Sequence, residues 1–413
     1  MTPAEPESLE RQASAAAVPV LLLLVFLSLI GFGIVIPLLP FFASAFDAAP
    51  WQVTLLFATY SAGQFLGELF WGRLSDRIGR RPVLLITVVF SSLGYLALAF
   101  APGIWIAVLV RAAAGFFSGN MSVIQGYIVD VSPPRKLAGR LGQIGSAFGV
   151  GFVVGPALGG LLARPDLGAV GFRPPLIVAA GLGLMATIGI LAFVRESRRP
   201  TAQAGPRGNP LAALSEALRH PVLAKAFGMI FFGFFAASAM WSVLGLWSQA
   251  RFGWGPREVG LVMAGTGVAS ALAQGVLAGV FVRRIGVGPT IVGGLTFASI
   301  CFFAMAASPW GWAAALTLTA SVIGHALWQP AATAIVSRAT HPDRQGAVLG
   351  AASASGSLAR VAGPIAGGIL FSGVGPWAPV AFAGAFMLPA AWLGWRAAQA
   401  LREEARATLA TVD

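Results

Sequence analysis

The sequence predicts an all-α membrane protein, with twelve transmembrane helices in two pseudo-symmetric six-helix bundles. Three observations predict it. Of 413 residues only 10% are charged and 57% are hydrophobic, whereas soluble domains carry about 25% charge. Apolar windows near the roughly 20 residues needed to cross a bilayer recur twelve times. Two stretches of the first half reappear about 207 residues later. A membrane barrel would instead need segments of about ten residues alternating apolar and polar, and none alternates so.

Windows bounded by charge, Pro and Gly place the first six helices near 18–42, 51–71, 82–101, 104–130, 139–163 and 174–194. The first run, Val18 to Phe42, is followed by Ala43-Ser44-Ala45, which resembles a processing site. It exceeds the core of about 7–15 residues found in signal peptides, and the tail before it has Glu5, Glu7 and Glu10 against Arg11, the wrong sign for a leader. It is read as a retained span. The second six helices fall near 222–248, 256–281, 288–307, 310–337, 346–372 and 376–396. Between the two sets runs the longest polar segment, Arg195 to Pro221, with four prolines and five arginines. Within it Asn209 can cap a short helix opening on Pro210, with Leu211, Leu214 and Leu218 on one face. That piece is either a surface-lying helix or a disordered tether. The organisation is therefore a tail (1–17), a bundle (18–194), a linker (195–221), a second bundle (222–396) and a tail (397–413).

Basic residues orient the spans, because cytoplasmic loops collect Lys and Arg. Of 27, four (Arg164, Arg173, Arg251, Arg257) fall in outer connections, Arg111 and Arg360 lie within spans, and the remaining 21 lie on the inner side. Both termini are expected to be cytoplasmic. The net charge of +12 is then topological rather than a sign of nucleic-acid binding. The lone Cys301 excludes an internal disulfide.

The stretch GRLSDRIGRRPVLL concentrates charge after the second helix: Arg73, Asp76, Arg77, Arg80 and Arg81. It is read as an inner loop. With an offset of 207, Gly72, Arg77, Ile78, Gly79 and Pro82 land on Gly279, Arg284, Ile285, Gly286 and Pro289; with 208, Gly155–Gly160 lands on Gly363–Gly368. Two matches at nearly one offset indicate duplicated halves, an arrangement that places binding sites near the midplane. Asp76 corresponds to Arg283, so the carboxylate belongs to the first half alone. It either neutralises its arginines or accepts hydrogen bonds from a facing helix N-terminus and latches one conformation. Gly151, Gly155 and Gly159 beside Pro156, echoed by Ala359, Gly363 and Gly367, let backbones approach closely, and are expected to form a seam between the halves.

These residues resemble the major facilitator superfamily, and within it the twelve-helix drug:proton antiporters that include tetracycline efflux proteins. The resemblance rests on GRLSDRIGRRP (Gly72–Pro82, with Gly72, Asp76, Arg77, Gly79, Arg80 and Arg81 as the conformational motif) and on RAAAGFFSGN (Arg111–Asn120). It rests further on GFGIVIPLLPFF (Gly31–Phe42) and on GSAFGVGFVVGPALGG, whose Gly145, Gly149, Gly155, Pro156, Gly159 and Gly160 match the antiporter motif. It implies alternating access about a cavity lined mainly by helices 1, 4, 7 and 10, in a bacterial inner membrane. One departure stands out. Tetracycline efflux proteins carry an aspartate three residues before Gly31-x-Gly33, and here that residue is Ser28.

Ionisable groups within spans are functional candidates by default. Glu68, one turn after Gln64, is a candidate proton carrier; Arg111, which matches the family's helix 4 arginine, Asp130 and His325 are the other coupling candidates. The cavity candidates are Gln64, Asn120, Gln125, Gln143, Phe231, Phe235, Trp241, His325, Trp328, Gln329 and Arg360, a mainly apolar set with a few polar groups. The expected task is export of lipophilic small molecules against proton entry; transport of a native lipid, siderophore or sugar is the alternative. No HExxH, P-loop, GxSxG or cysteine cluster suggests an enzyme. No cofactor or metal is expected. The expected partners are a small-molecule substrate, protons and the lipid bilayer, with a monomeric chain.

Overall fold

The computed structural model describes residues 18–197, 215, 217–341 and 344–410. The N-terminal tail and the short helix expected from Asn209 lie outside the described residues. Those described form helices: α1 Val18–Ser44, α2 Pro50–Ile78, α3 Arg80–Ala99, α4 Ile104–Val131, α5 Pro134–Leu162 and α6 Arg173–Phe193, with a 3-10 turn at Pro165–Phe172 before α6. There follow α7 Pro221–Phe252, α8 Pro256–Ile285, α9 Val287–Ala307, α10 Gly311–Arg338, α11 Gln345–Gly373 and α12 Ala378–Ala410. Among the described residues nine are long and apolar enough to cross a membrane. The other three, α2, α10 and α11, are 29, 28 and 29 residues long but are diluted by the charged end of α2, by His325, Gln329 and Arg338, and by the Ser/Gly run around Arg360.

Five helices depart from expectation. The charged stretch after residue 71 is not a loop: α2 continues through it to Ile78. Long arginine side chains can carry their charge outward while the backbone stays helical, so charge alone does not end a helix. What ends it is Gly79, with φ +103°, a conformation that an L side chain resists. α5 begins at Pro134, inside its first turn, where proline's missing N–H costs nothing. α12 runs on to Ala410 rather than stopping near 396, because falling hydropathy marks where a helix leaves the bilayer, not where it unwinds. α4 is broken between Ser118 and Met121, and α8 carries a π turn at Ala273–Leu277.

The chain divides into two compact units. One holds residues 1–48, 59–206 and 254–267; the other holds 49–58, 207–253 and 268–413. The N-terminal turns of α2 and of α8 are thus counted with the unit that does not hold the rest of the helix. Within the first unit the main packings are α1 on α5, α1 on α6, α3 on α6 and α3 on α4; within the second they are α7 on α11, α7 on α12, α9 on α12 and α9 on α10. Each pairing recurs after six helices, as the duplicated sequence predicts. The core of the first unit is built from Leu21, Leu24, Val25, Leu84, Val88, Ile124, Tyr127 and Ile190.

Candidate functional site

The charged stretch separates into arginines with different tasks. Arg80, 3% exposed, turns back under α2: its Nη1 donates to Asp76 Oδ1 (3.0 Å) and to Ser75 Oγ (2.6 Å), and its Nε donates to Asp130 Oδ2 (3.2 Å) on α4. Asp130 also accepts from Ser197 Oγ at 3.3 Å. The carboxylate of Glu196, just past α6, accepts the backbone N–H groups of Arg80 (2.8 Å) and Arg81 (3.0 Å). It therefore caps α3, whose N-terminal dipole favours an anion. A side chain at Gly79 would run into that carboxylate. Arg81 donates to Leu191 O at 2.7 Å, while Arg73 and Arg77 are exposed. One carboxylate among four guanidinium groups is thus an internal partner for Arg80. Asp130, a coupling candidate from sequence, sits in this network.

A cavity of about 120 Å³ lies inside the first unit. Its polar lining is Ser28, Tyr60, Gln64, Ser91, Ser92, Tyr95, Ser118 and Asn120, on α1, α2, α3 and α4; apolar residues such as Phe32 and Phe148 complete it. Ser91 and Ser118 hydroxyls stand 3.2 Å apart. The Arg111 guanidinium, 2% exposed, lies 3.9 Å over the Tyr60 ring, a cation–π contact. Asn120 Nδ2 donates to Thr87 Oγ1 at 2.9 Å instead of capping the helix that follows. Ser28 Oγ donates to Leu24 O at 3.0 Å within α1. Ser118 and Asn120, at the break in α4, both line the cavity. There, a methyl on Gly119 would stand 2.5 Å from Glu68 N, so the interrupted helix presses its backbone against α2 between Gln64 and Glu68.

Of the cavity residues expected from sequence, Gln64 and Asn120 line this space, while Gln125 and Gln143 are exposed elsewhere. The sequence reading missed Tyr60, Tyr95, Ser91, Ser92 and Ser118. The available signal was the chain's tyrosine count, only three; all three are buried, and two face the cavity.

In the second unit His325, Trp328 and Arg360 converge around Phe234. Trp328 Nε1 donates to His325 Nδ1 at 3.1 Å; the Phe234 ring stands 5.9 Å from His325 and 5.6 Å from Trp328; Arg360 lies 5.3 Å over Phe234 and its Nη2 donates to Ser357 Oγ at 2.8 Å. Phe231 and Phe235 stack at 5.6 Å, with Phe382 and Phe386 against Phe235. Trp241 and Gln329 are half-buried outside both groups. Among the described residues no three His, Cys, Asp or Glu side chains converge as a metal site would.

The glycine seams differ from expectation. Gly151, Gly155 and Gly159 do not face the other half; they pack α5 onto α1, where a methyl on Gly155 would stand 2.7 Å from Gly33 Cα and one on Gly151 2.8 Å from Leu29 Cβ. Gly363 and Gly367 likewise seat α11 on α7, against Phe235 O and Ala239 O. The neighbouring positions make the longer reach: Pro156 and Gly160 meet Gly260 and Pro256 of α8, and Gly368 meets Trp51 and Thr54 of α2. Residues four apart share one helix face and the next residue turns about 100° away, so each motif serves two partners. Gly145 has nothing within reach of a methyl, and Gly149 is half-buried.

The family model for the Major Facilitator Superfamily matches residues 21–255 and 226–410. The tetracycline resistance protein, class C, of Escherichia coli is 31% identical over 361 residues, covering 84% of this chain and 88% of that protein. Multidrug resistance protein 2 of Bacillus subtilis is 27% identical over 376 residues, covering 89% and 92%. Among solved structures, a bacterial homologue of the human lysosomal transporter Spinster, inward-facing and occupied, superposes with a TM-score of 0.75 at 16% identity, covering 93% of this chain and 96% of that one. The human organic anion transporter MFSD10 gives 0.68 at 22%, covering 93% and 99%.

Proposed function

The chain belongs to the major facilitator superfamily, a transporter rather than an enzyme, and on that premise we propose that it exports lipophilic small molecules in exchange for protons. The bundles 18–194 and 222–396 rock in alternating access about the linker 195–221, with both termini cytoplasmic in a bacterial inner membrane. The resistance roles named for its relatives support the cargo class. So do the aromatic surfaces of α7, α10 and α12, which suit flat apolar molecules.

The observation that carries the coupling is the seat of Glu68. Ser28 cannot ionise, whereas Glu68 is an intramembrane carboxylic acid beside an interrupted helix, and broken helices at membrane depth mark transport sites. Glu68 takes a proton in one conformation and releases it in the other. Arg111 sets the positive charge of the first bundle's interior, and the Asp76–Arg80–Asp130 network steadies the arginine-rich end between conformations.

Purified protein in liposomes holding a pH gradient tests this. Wild type is expected to dissipate the gradient when tetracycline, a quinolone or a lipophilic cation is added. Glu68→Gln should bind the same compounds without moving protons. A wild type that shifts no protons with any of them overturns the proposal.

A further inference from the structure

Four features of the first unit coincide, and the transport reading uses none of them together. α4 is interrupted at Gly119 and Asn120. The interruption opens on the cavity, which Ser118 and Asn120 help to line. Hydroxyls from three helices line it, Tyr60 from α2, Ser91 from α3 and Ser118 from α4, with Ser91 and Ser118 in hydrogen-bond contact. Tyr60, Gln64 and Glu68 follow one another at four-residue spacing along one face of α2.

Irregular backbone at membrane depth is tolerated where it is buried in protein or borders water. A cavity of about 120 Å³ has room for several water molecules, each of which needs about 10–15 Å³ and two to four polar partners. Hydroxyl and amide side chains supply those partners here. Serine and tyrosine hydroxyls both donate and accept, so a line of them with water passes a hydrogen ion without any of them ending charged.

We propose that this cavity is a hydrated compartment internal to the first bundle, and that Tyr60, Ser118 and Ser91 position its water so that a proton travels along it to and from Glu68. Each oxygen accepts one hydrogen ion on one side and releases another on the opposite side. The transfer ends when the Glu68 carboxylate becomes a neutral carboxylic acid, and reverses when the acid returns its proton to water. Arg111 of α4 lies over the ring of Tyr60, a lining residue, and Tyr95 lines the compartment from α3. The three hydroxyl residues are positioning residues. The relay rests on the coupling role given to Glu68; the hydration of the cavity does not.

Two measurements test it on the full chain. In a Cys301→Ser background, Ser91→Cys and Ser118→Cys should react with a small water-soluble methanethiosulfonate, while Ala113→Cys on an exposed face of α4 should not. In liposomes, the double variant Ser91→Val/Ser118→Val should lose roughly ten-fold or more of its substrate-driven proton flux. It should keep wild-type counterflow of the same substrate, which needs no net proton movement, and Ser→Thr at both sites should restore the flux. Unreactive cysteines in a protein that still transports, or full proton flux in the valine variant, overturns the relay and leaves the exporter reading intact. A wild type without substrate-driven proton flux overturns both, and the cysteine reactions then decide whether the cavity is wet.

Discussion

Removing Arg80 should destabilise the first bundle more than removing any exposed arginine of the same stretch. Arg80→Gln leaves the Asp76 side chain, 7% exposed, without the guanidinium 3.0 Å away. Removing one member of a buried ion pair costs up to about 3–5 kcal/mol. The second pair, with Asp130, adds less, about 1 kcal/mol or under, because the Asp130 side chain is 22% exposed and solvent screens it. The loss is therefore up to about 3–5 kcal/mol in all, dominated by Asp76. For a unit of this size it lowers the melting temperature by on the order of 10 °C. Intrinsic fluorescence of the purified full-length protein in detergent, with 12 tryptophans reporting, measures it. Arg73→Gln is the control, since Arg73 is exposed and surface changes usually stay within about 0.5 kcal/mol. Adding Asp76→Asn to Arg80→Gln should recover most of the loss, because an amide needs no counter-charge. If Arg80→Gln melts with the Arg73 control, Arg80 is not the internal counter-ion and the account of this network is wrong.

Other positions give further tests. Gly155→Ala should cost about 1–3 kcal/mol, since the new methyl would stand 2.7 Å from Gly33 Cα. Gly139→Ala, with nothing within 4 Å, should be neutral or stabilise by up to about 1 kcal/mol; equal melting temperatures for the two would refute the α1–α5 seam. Gly79→Ala should lower stability by about 1–2 kcal/mol from the backbone conformation alone, and more from the clash with Glu196. Truncating that side chain as well, in Gly79→Ala/Glu196→Ala, should show less than additive loss, readable as a double-mutant cycle. Trp328→Phe removes the indole donor to His325 Nδ1 and should cost about 1 kcal/mol. It should also weaken binding of aromatic drugs in a fluorescence titration, and unchanged affinity would remove His325, Trp328 and Phe234 from the cargo site.

Much of the fold was legible along the chain. Apolar windows bounded by charge, Pro and Gly marked the long helices among the described residues, and the offset of about 207 residues foretold pairings that recur after six helices. Glu68, Arg111 and Gln64 were conspicuous because polar groups are scarce in apolar runs. The same scarcity argument failed for Ser91, Ser92 and Ser118, since serine is common in spans and returns its hydroxyl to its own helix without penalty, as Ser28 does. It also failed for helix ends. Five charges suggested a loop after residue 71, yet arginine side chains reach past the backbone and only Gly79 breaks it.

The sequence by itself determined that this is a duplicated helical membrane protein, because the preference of apolar side chains for hydrocarbon is summed residue by residue along one chain. Which hydroxyls share a cavity, which face of a glycine motif meets which neighbour, and which of four arginines takes the one carboxylate were decided only in three dimensions. Each depends on rotation about a helix axis and on the approach of backbones distant in sequence, and a linear count of polarity carries neither.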